Sequence, residues 1–405
     1  MVPEGWEATT LGECVTFRSG GTPSKQKAEF WGGNIPWVSA KDLKSHRIED
    51  AIDHLTEAGA ASAKMADIDH ILILVRGMTL LKDVPVGLVA RPLAFNQDIK
   101  ALVAKADIDP LFLSYLLVGR KMAMLGLVNT ANHGTGRLDT DLLKGLPIDL
   151  PPFPEQRKIA EILSTWDRAI ETTEALLATA RTQKRAIMQT LLTGKRRFPE
   201  FEGQEWREVR LGDLGSTFTG LTGKSKEDFG MGLPYIPYLN IFQNSRIDPE
   251  QVDYVSVGHN ERQNRVRFGD IFFTTSSETP NEVGMASVLL DDIPDLFLNS
   301  FCFGFRLHDF DTLLPRFARF MLRGQDFRRS IRRLAQGATR YNLSKTHLMN
   351  LTMVLPPVAE QERVADVLEI SQTEELDLAK QIDKLRAEKK ALMQQLLTGK
   401  RRVQA

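Results

Sequence analysis

The chain repeats itself at a fixed interval, and no other feature limits its possible folds as strongly. Leu150-Pro151-Pro152-Phe153-Pro154-Glu155-Gln156 returns as Leu355-Pro356-Pro357-Val358-Ala359-Glu360-Gln361. Leu191-Leu192-Thr193-Gly194-Lys195-Arg196-Arg197 returns as Leu396-Leu397-Thr398-Gly399-Lys400-Arg401-Arg402. Both pairs are displaced by 205 positions, so nothing was inserted or deleted between the two motifs. The starts of the halves also match, Trp6…Leu11-Gly12-Glu13 against Trp206…Leu211-Gly212-Asp213. Further in, Ile35-Pro36-Trp37-Val38 resembles Ile236-Pro237-Tyr238-Leu239. At 405 residues the chain exceeds one ordinary core. It reads as a tandem pair, each half a variable domain followed by a closely similar helix.

Each Leu-Pro-Pro marks a boundary, because proline ends a strand ladder and fits a helix start. Beyond it, apolar residues recur at spacings of four and three. The first series is Ile159, Leu163, Trp166, Ile170, Thr173, Leu177, Ala180, Lys184, Ile187 and Leu191; the second is Val364, Leu368, Ser371, Glu375, Leu378, Ile382, Leu385, Lys389, Leu392 and Leu396. Eight and seven of the ten are apolar, which is a heptad seam. The Thr-Gly-Lys after each seam predicts a stop, with glycine free to take a left-handed cap. A helix over residues 155–193 runs roughly 57 Å at 1.5 Å per residue. Residues 175–197 hold six Lys or Arg and no acid, whereas residues 360–377 hold seven acids and one Arg. Antiparallel pairing sets acid against base and opposes the helix dipoles, so it is the expected arrangement. The alternative is two unrelated surface helices, each docked on its own domain. Lys184 and Lys389 fall at equivalent seam positions, where they can snorkel or pair with an acid and fix register.

The composition, 42% hydrophobic and 26% charged, is that of a soluble globular protein. Cys14 and Cys302 are the only cysteines, which excludes a disulfide scaffold and suits a reducing cytoplasm. No basic-then-apolar leader opens the chain, and Ile71-Leu72-Ile73-Leu74-Val75 is strand-sized, far short of a membrane span. The variable regions, about 1–149 and 198–354, mix short apolar runs with Gly, Pro and Asn turns, and each then carries an apolar helical stretch near 111–117 or 313–322. The expected class is α+β: two similar domains joined by two long antiparallel coiled-coil helices, at 150–197 and 355–405, in a pseudo-twofold tandem repeat.

These motifs resemble the specificity subunit of type I DNA restriction–modification enzymes. The resemblance covers nearly the whole chain. It rests on the two Leu-Pro-Pro-x-x-Glu-Gln segments and the paired Leu-Leu-Thr-Gly-Lys endings. Ser19-Gly20-Gly21-Thr22-Pro23-Ser24, Trp31-Gly32-Gly33-Asn34-Ile35-Pro36-Trp37-Val38 and Gly337-Ala338-Thr339-Arg340-Tyr341-Asn342-Leu343-Ser344 are also typical. The resemblance implies two target-recognition domains, each reading half of a split, asymmetric site in double-stranded DNA. It implies a helical spacer docking two methyltransferase subunits, which carry S-adenosylmethionine and methylate adenine. Two restriction subunits using ATP and Mg are a further possible partner. This chain itself is expected to hold no cofactor or metal. The second half departs from the family's Gly-Thr-Pro-Ser loop, having Gly220-Leu221-Thr222-Gly223-Lys224-Ser225.

A net charge of zero offers no general attraction for DNA, so basic residues must be concentrated locally. The densest cluster is Arg316, Arg319, Arg323, Arg328, Arg329, Arg332, Arg333 and Arg340, with Asp326 the only acid among them. Arginine neutralises phosphates and pairs bidentately with guanine; a solvated helix face is the plainer reading. In the first half the candidates are Thr22, Ser24, Lys25, Lys41, Arg76 beside Gly77, and Arg137 after Gly134-Thr135-Gly136; Lys224 and Lys226 occupy the second half's loop. Trp31, Trp37, Tyr235 and Tyr238 could stack on bases but read better as core. The expected spacer and partner interface comprises Glu155, Gln156, Leu163, Trp166, Ile170, Leu177, Glu360, Gln361, Leu368, Leu378, Ile382 and Leu385, with capping an equal reading for the Glu-Gln pairs. The catalytic search is negative. Gly223-Lys224-Ser225 lacks a phosphate loop's first glycine, since Phe218 stands there. Leu150 precedes Pro-Pro-Phe where adenine methyltransferases need Asn or Asp, and the seven histidines, His133 among them, show no i, i+4 pair. An enzyme with hidden motifs and a coiled-coil adaptor without DNA are the competing classes.

Overall fold

The computed structural model describes residues 2–130, 134–337 and 339–404. His133 of the histidine survey and Ala338 of the Gly337-Ala338-Thr339 segment lie outside the described residues. The chain divides into two compact units, Met1–Glu174 with Lys380–Ala405, and Ala175–Ala379. The unit boundaries fall within the long helices, whereas the sequence suggests boundaries at their ends. The reason is packing: each variable domain buries its core against half of each helix.

In the first unit a five-stranded sheet has the order Val15–Ser19, Ile99–Ala104, Ile71–Leu74, Val86–Val89, Arg47–Ile48. The Ile-Leu-Ile-Leu strand is buried at every position, as expected where both sheet faces are covered. Pro110–Gly119 forms a helix capped by Asp109, whose carboxylate accepts from Phe112 N at 2.8 Å, and it packs on Val86–Val89. A four-stranded sheet, Asp53–Leu55, Trp31–Val38, Leu93–Phe95, Met65–Ala66, lies beyond. The second unit repeats this plan. Its sheet runs Gly215–Thr219, Cys302–Leu307, Ile271–Thr274, Ala286–Val288, and a parallel bridge from Arg246 to Val288 stands where the fifth strand would be. Alternation sorts its side chains: Ile271 and Phe273 join the core that contains Val364 and Leu368, while Phe272 faces Ile236 and Leu298.

The long helices span Phe153–Leu191 and Val358–Leu396, 39 residues each. Every seam position named from the sequence is buried or half-buried. In the first unit Asp167 pairs with Lys389 and Glu174 with Arg386, at 2.6 Å for the latter. Partner numbers fall on one helix as they rise on the other, so the pair is antiparallel. In the second unit Lys184 reaches Gln372 at 2.5 Å and Glu375 at 3.3 Å, and Arg197 reaches Glu360, again in antiparallel order. The two seam lysines therefore pair with acids. Gly194 and Gly399 close the helices with φ of 68° and 66°, the left-handed stop expected of them.

The Glu-Gln pairs neither cap nor face outward. Gln156 accepts from Asp109 N at 2.9 Å and donates to Asp107 O and Pro151 O; Gln361 accepts from Leu314 N at 2.9 Å and donates to Thr312 O and Pro356 O. Glu155 accepts from Trp6 Nε1 at 3.3 Å and from two Arg402 nitrogens at 2.8 Å. Glu360 accepts from Trp206 Nε1 at 3.0 Å and from Arg197 at 2.9 and 2.6 Å. All four are at least 96% buried, and they fasten the start of each helix to the domain packed on it. Their hydrogen bonds run to the domain and to the ends of the helices, in place of the capping expected of them.

Candidate nucleic-acid interface

Beside the main sheet of each unit lies a small three-stranded sheet that the sequence does not announce. In the first unit its order is Val128–Thr130, Gly136–Leu138, Arg76–Gly77, and Asn129, Arg137 and Arg76 stand directly across from one another. All three are exposed. Like charges opposed on adjacent strands weaken a sheet, and the Arg137–Arg76 pair is offset only by Asp139, 3.9 Å from Arg137. In the second unit the order is Ser276–Ser277, Tyr341–Leu343, Ala335–Gln336, and the matching row is Gln336, Asn342, Ser276. Gln336 and Asn342 are exposed and Ser276 half-buried. The same backbone thus presents Asn-Arg-Arg in one unit and Gln-Asn-Ser in the other.

A second repeated device sits against this sheet. Asn96 Oδ1 accepts from Asp98 N at 3.1 Å, and Asn299 Oδ1 accepts from Phe301 N at 2.8 Å, forming the same side-chain turn. A Cβ on Gly20 would lie 2.0 Å from Asn96 O, and one on Gly220 would lie 1.9 Å from Asn299 O. Only glycine allows that approach. It draws the Gly-Thr-Pro-Ser loop onto the turn, where Thr22 Oγ1 donates to Gln97 at 2.5 Å. On its other side the turn's Asp98 O accepts from Val75 N and Arg76 N, at 2.8 and 3.2 Å. Loop and small sheet therefore flank one turn. Thr22, Ser24 and Lys25 are exposed beside it, as is Lys226 in the second unit's loop.

The arginine cluster divides. The helix Gln325–Leu334 buries Phe327 and Ile331, about one turn apart, and exposes Arg329, Arg332 and Arg333. Arg332 and Arg340 are exposed. Arg323 instead donates to the carbonyls of Ala286, Ile241, Phe242 and Asn244. Arg328 donates to those of Gly284, Asn281 and Val283. Burial pulls both guanidinium groups down to about 10. Arg319 is 93% buried. Lys224 donates to Glu261 and to Ser256 O, each at 2.5 Å, and its ammonium holds the Glu261 carboxyl down at about 2, with Gln263 and Gly258 N assisting. Arg323, Arg328 and Lys224 thus make their bonds within the chain, to carbonyls and a carboxylate in their reach. Lys41 stands exposed, 4.0 Å from Asp53.

The aromatic residues behave as core. Trp37 is buried and meets Trp31 edge-on at 5.2 Å, while Tyr238 donates to Ser276 O at 3.2 Å. In the first unit a polar network joins domain and helices: Tyr115 donates to Asp167 at 2.5 Å, and His46 stacks on Tyr115 at 4.4 Å and meets Ser114 Oγ at 2.9 Å. No described helix is long and apolar enough to cross a membrane.

Comparison with known proteins places these features. The family described as type I restriction modification DNA specificity domain matches residues 3–181 and 203–385. A specificity subunit of the Escherichia coli type I enzyme EcoR124I/EcoR124II is 34% identical over 164 residues, 40% of this chain and 41% of that protein. The match thus spans about two fifths of that relative's length. The Methanocaldococcus jannaschii MjaVIII specificity subunit is 24% identical over 99% of this chain and 94% of its own length. Among solved structures, a type I restriction–modification S subunit from M. genitalium superposes with TM-score 0.62 at 16% identity, covering 98% and 99% of the two chains. A structure described as the basis of complex assembly in the type I system gives 0.59 at 20% identity, covering 98% of each. With both halves matched and the fold repeated in full, the chain belongs to the type I restriction–modification DNA specificity family.

Proposed function

We propose that the chain reads a bipartite, asymmetric site in double-stranded DNA, one half per unit, and has no catalysis of its own. The observation that carries this reading is the pair of equivalent rows, Asn129–Arg137–Arg76 and Gln336–Asn342–Ser276. Arginine pairs bidentately with guanine, and Asn or Gln with adenine, in a groove wide enough for a β-ribbon. One backbone carrying two chemistries suits two different half-sites. Thr22, Ser24, Lys25, Lys41, Lys226, Arg332 and Arg340 are the exposed candidates for phosphate contacts that position each unit. The long helices act as a spacer that sets the unread gap. Their outer faces receive two adenine methyltransferase subunits holding S-adenosylmethionine, and two restriction subunits using ATP and Mg where present, in the cytoplasm.

The test is co-expression with a type I methyltransferase subunit, followed by mapping of methylated adenines. A split motif with one constant gap is expected. Methylation that does not depend on this chain, or an undivided motif, overturns the reading.

A further inference from the structure

Where the second unit's domain meets the helix pair there is a cavity of about 270 Å³, lined by Lys184, Arg319, Arg323, Gln243, Ser245 and Gln372 with two apolar side chains. A single water needs about 10–15 Å³ of such space, so there is ample room for a polyatomic ion. No carboxylate lines it.

The charges around it do not balance. Lys184 pairs with Glu375, and Arg316 takes Asp366 and Glu369 at 2.9 and 2.5 Å. Arg319 has only a distant share of Glu369, at 3.7 Å. Arg323 is bonded to carbonyls and pairs with no carboxylate among the described residues. Four cations thus stand against three carboxylates. Arg319 is 93% buried, and its Nε has no hydrogen-bond partner among the described residues. An unsatisfied donor on a buried cation is expensive to keep.

The first unit shows what a closed version looks like. The conserved register of Gln156 on Asp109 and Gln361 on Leu314 aligns Ser114 with Arg319, Val118 with Arg323 and Asp167 with Gln372. There Asp167 answers Lys389 directly, and Ser114 is satisfied by His46 and Leu111 O. The second unit replaces that carboxylate with an amide, adds two arginines and leaves a cavity. Its donors come from three separate segments, which suits an acceptor with oxygens pointing several ways.

We propose that this cavity is a binding site for a phosphate-type oxyanion, held by the Arg319 guanidinium and Lys184 with Gln243 and Ser245 at its rim. The ion balances the excess charge of Arg319 and Arg323, which have no counterpart in the first unit, and so ties domain to helices. Free phosphate and a DNA backbone phosphate share this chemistry.

The full chain titrated with inorganic phosphate, against chloride at equal ionic strength, should show a saturable rise in unfolding midpoint. Arg319→Met should lose that rise, and Ser245→Ala, which keeps every buried charge, should shift saturation to several-fold higher phosphate. If free phosphate does not bind but Arg319→Met weakens binding to duplex DNA and lowers the salt slope by about one, the site holds and the phosphate is the DNA's. A rise equal in wild type and both variants, or no phosphate effect together with unchanged DNA binding by Arg319→Met, overturns the site. Neither result touches the proposed reading by the small sheets, which is tested by the methylation map of the wild-type chain.

Discussion

Glu360 shows how much a single buried carboxylate organises in this fold. It gathers Arg197 from the end of one helix and Trp206 from the start of a domain, and is 99% buried itself. Removing it strands a cation and an indole N–H. Glu360→Ala should cost about 3–5 kcal/mol, read by denaturant unfolding; a loss below about 1 kcal/mol would mean the clamp is decorative. His46 gives a pH signature. Burial, resisted by Asp167, pulls its imidazole from 6.5 to about 4. Between those values the unfolded chain binds more protons, so its contribution is full above about 6.5 and is lost as pH falls towards 4. One group gives a slope of at most about 1.4 kcal/mol per pH unit. His46→Gln should flatten the unfolding profile over that window, and an unchanged slope would contradict the assignment. Arg137→Ala should relax selectivity by about 1–3 kcal/mol at one base position in one half-site, measured by competition binding, and leave the other half untouched.

At the scale of elements, the helices were legible and the small sheets were not. A heptad seam is a local pattern, and its period, its glycine stops and its acid–base asymmetry predict two antiparallel helices close to those observed. Leu368 is fully buried in that seam, and Leu368→Ala should lower the second unit's stability by about 2–5 kcal/mol in a thermal or denaturant melt. The rows Asn129–Arg137–Arg76 and Gln336–Asn342–Ser276 depend on pairing between strands up to some sixty residues apart. The strands themselves are two or three residues long, too short to show alternation. The internal bonds of the arginine cluster were hidden for a related reason. Charge density is visible in sequence, but the carbonyls that capture Arg323 and Arg328 lie 37 to 82 positions away. A faint signal for the shared turn did exist: Gly20 and Gly220 stand at matching places in the two halves, each just after a strand of the structure, and the close approach explains both.

For the whole molecule, repetition is the organising principle. Fasteners are kept in duplicate, Glu155 with Trp6 and Arg402, Glu360 with Trp206 and Arg197, while the small sheets and the cavity beside Arg319 differ between units. Duplicated structure with divergent surfaces is what a reader of two unlike half-sites requires. The most direct test lengthens both long helices by one heptad at matched seam positions, about 10 Å or three base pairs, and maps adenine methylation with the partner methyltransferase. The account predicts both half-sites unchanged and a wider gap between them. Altered half-sites at the original gap would contradict it.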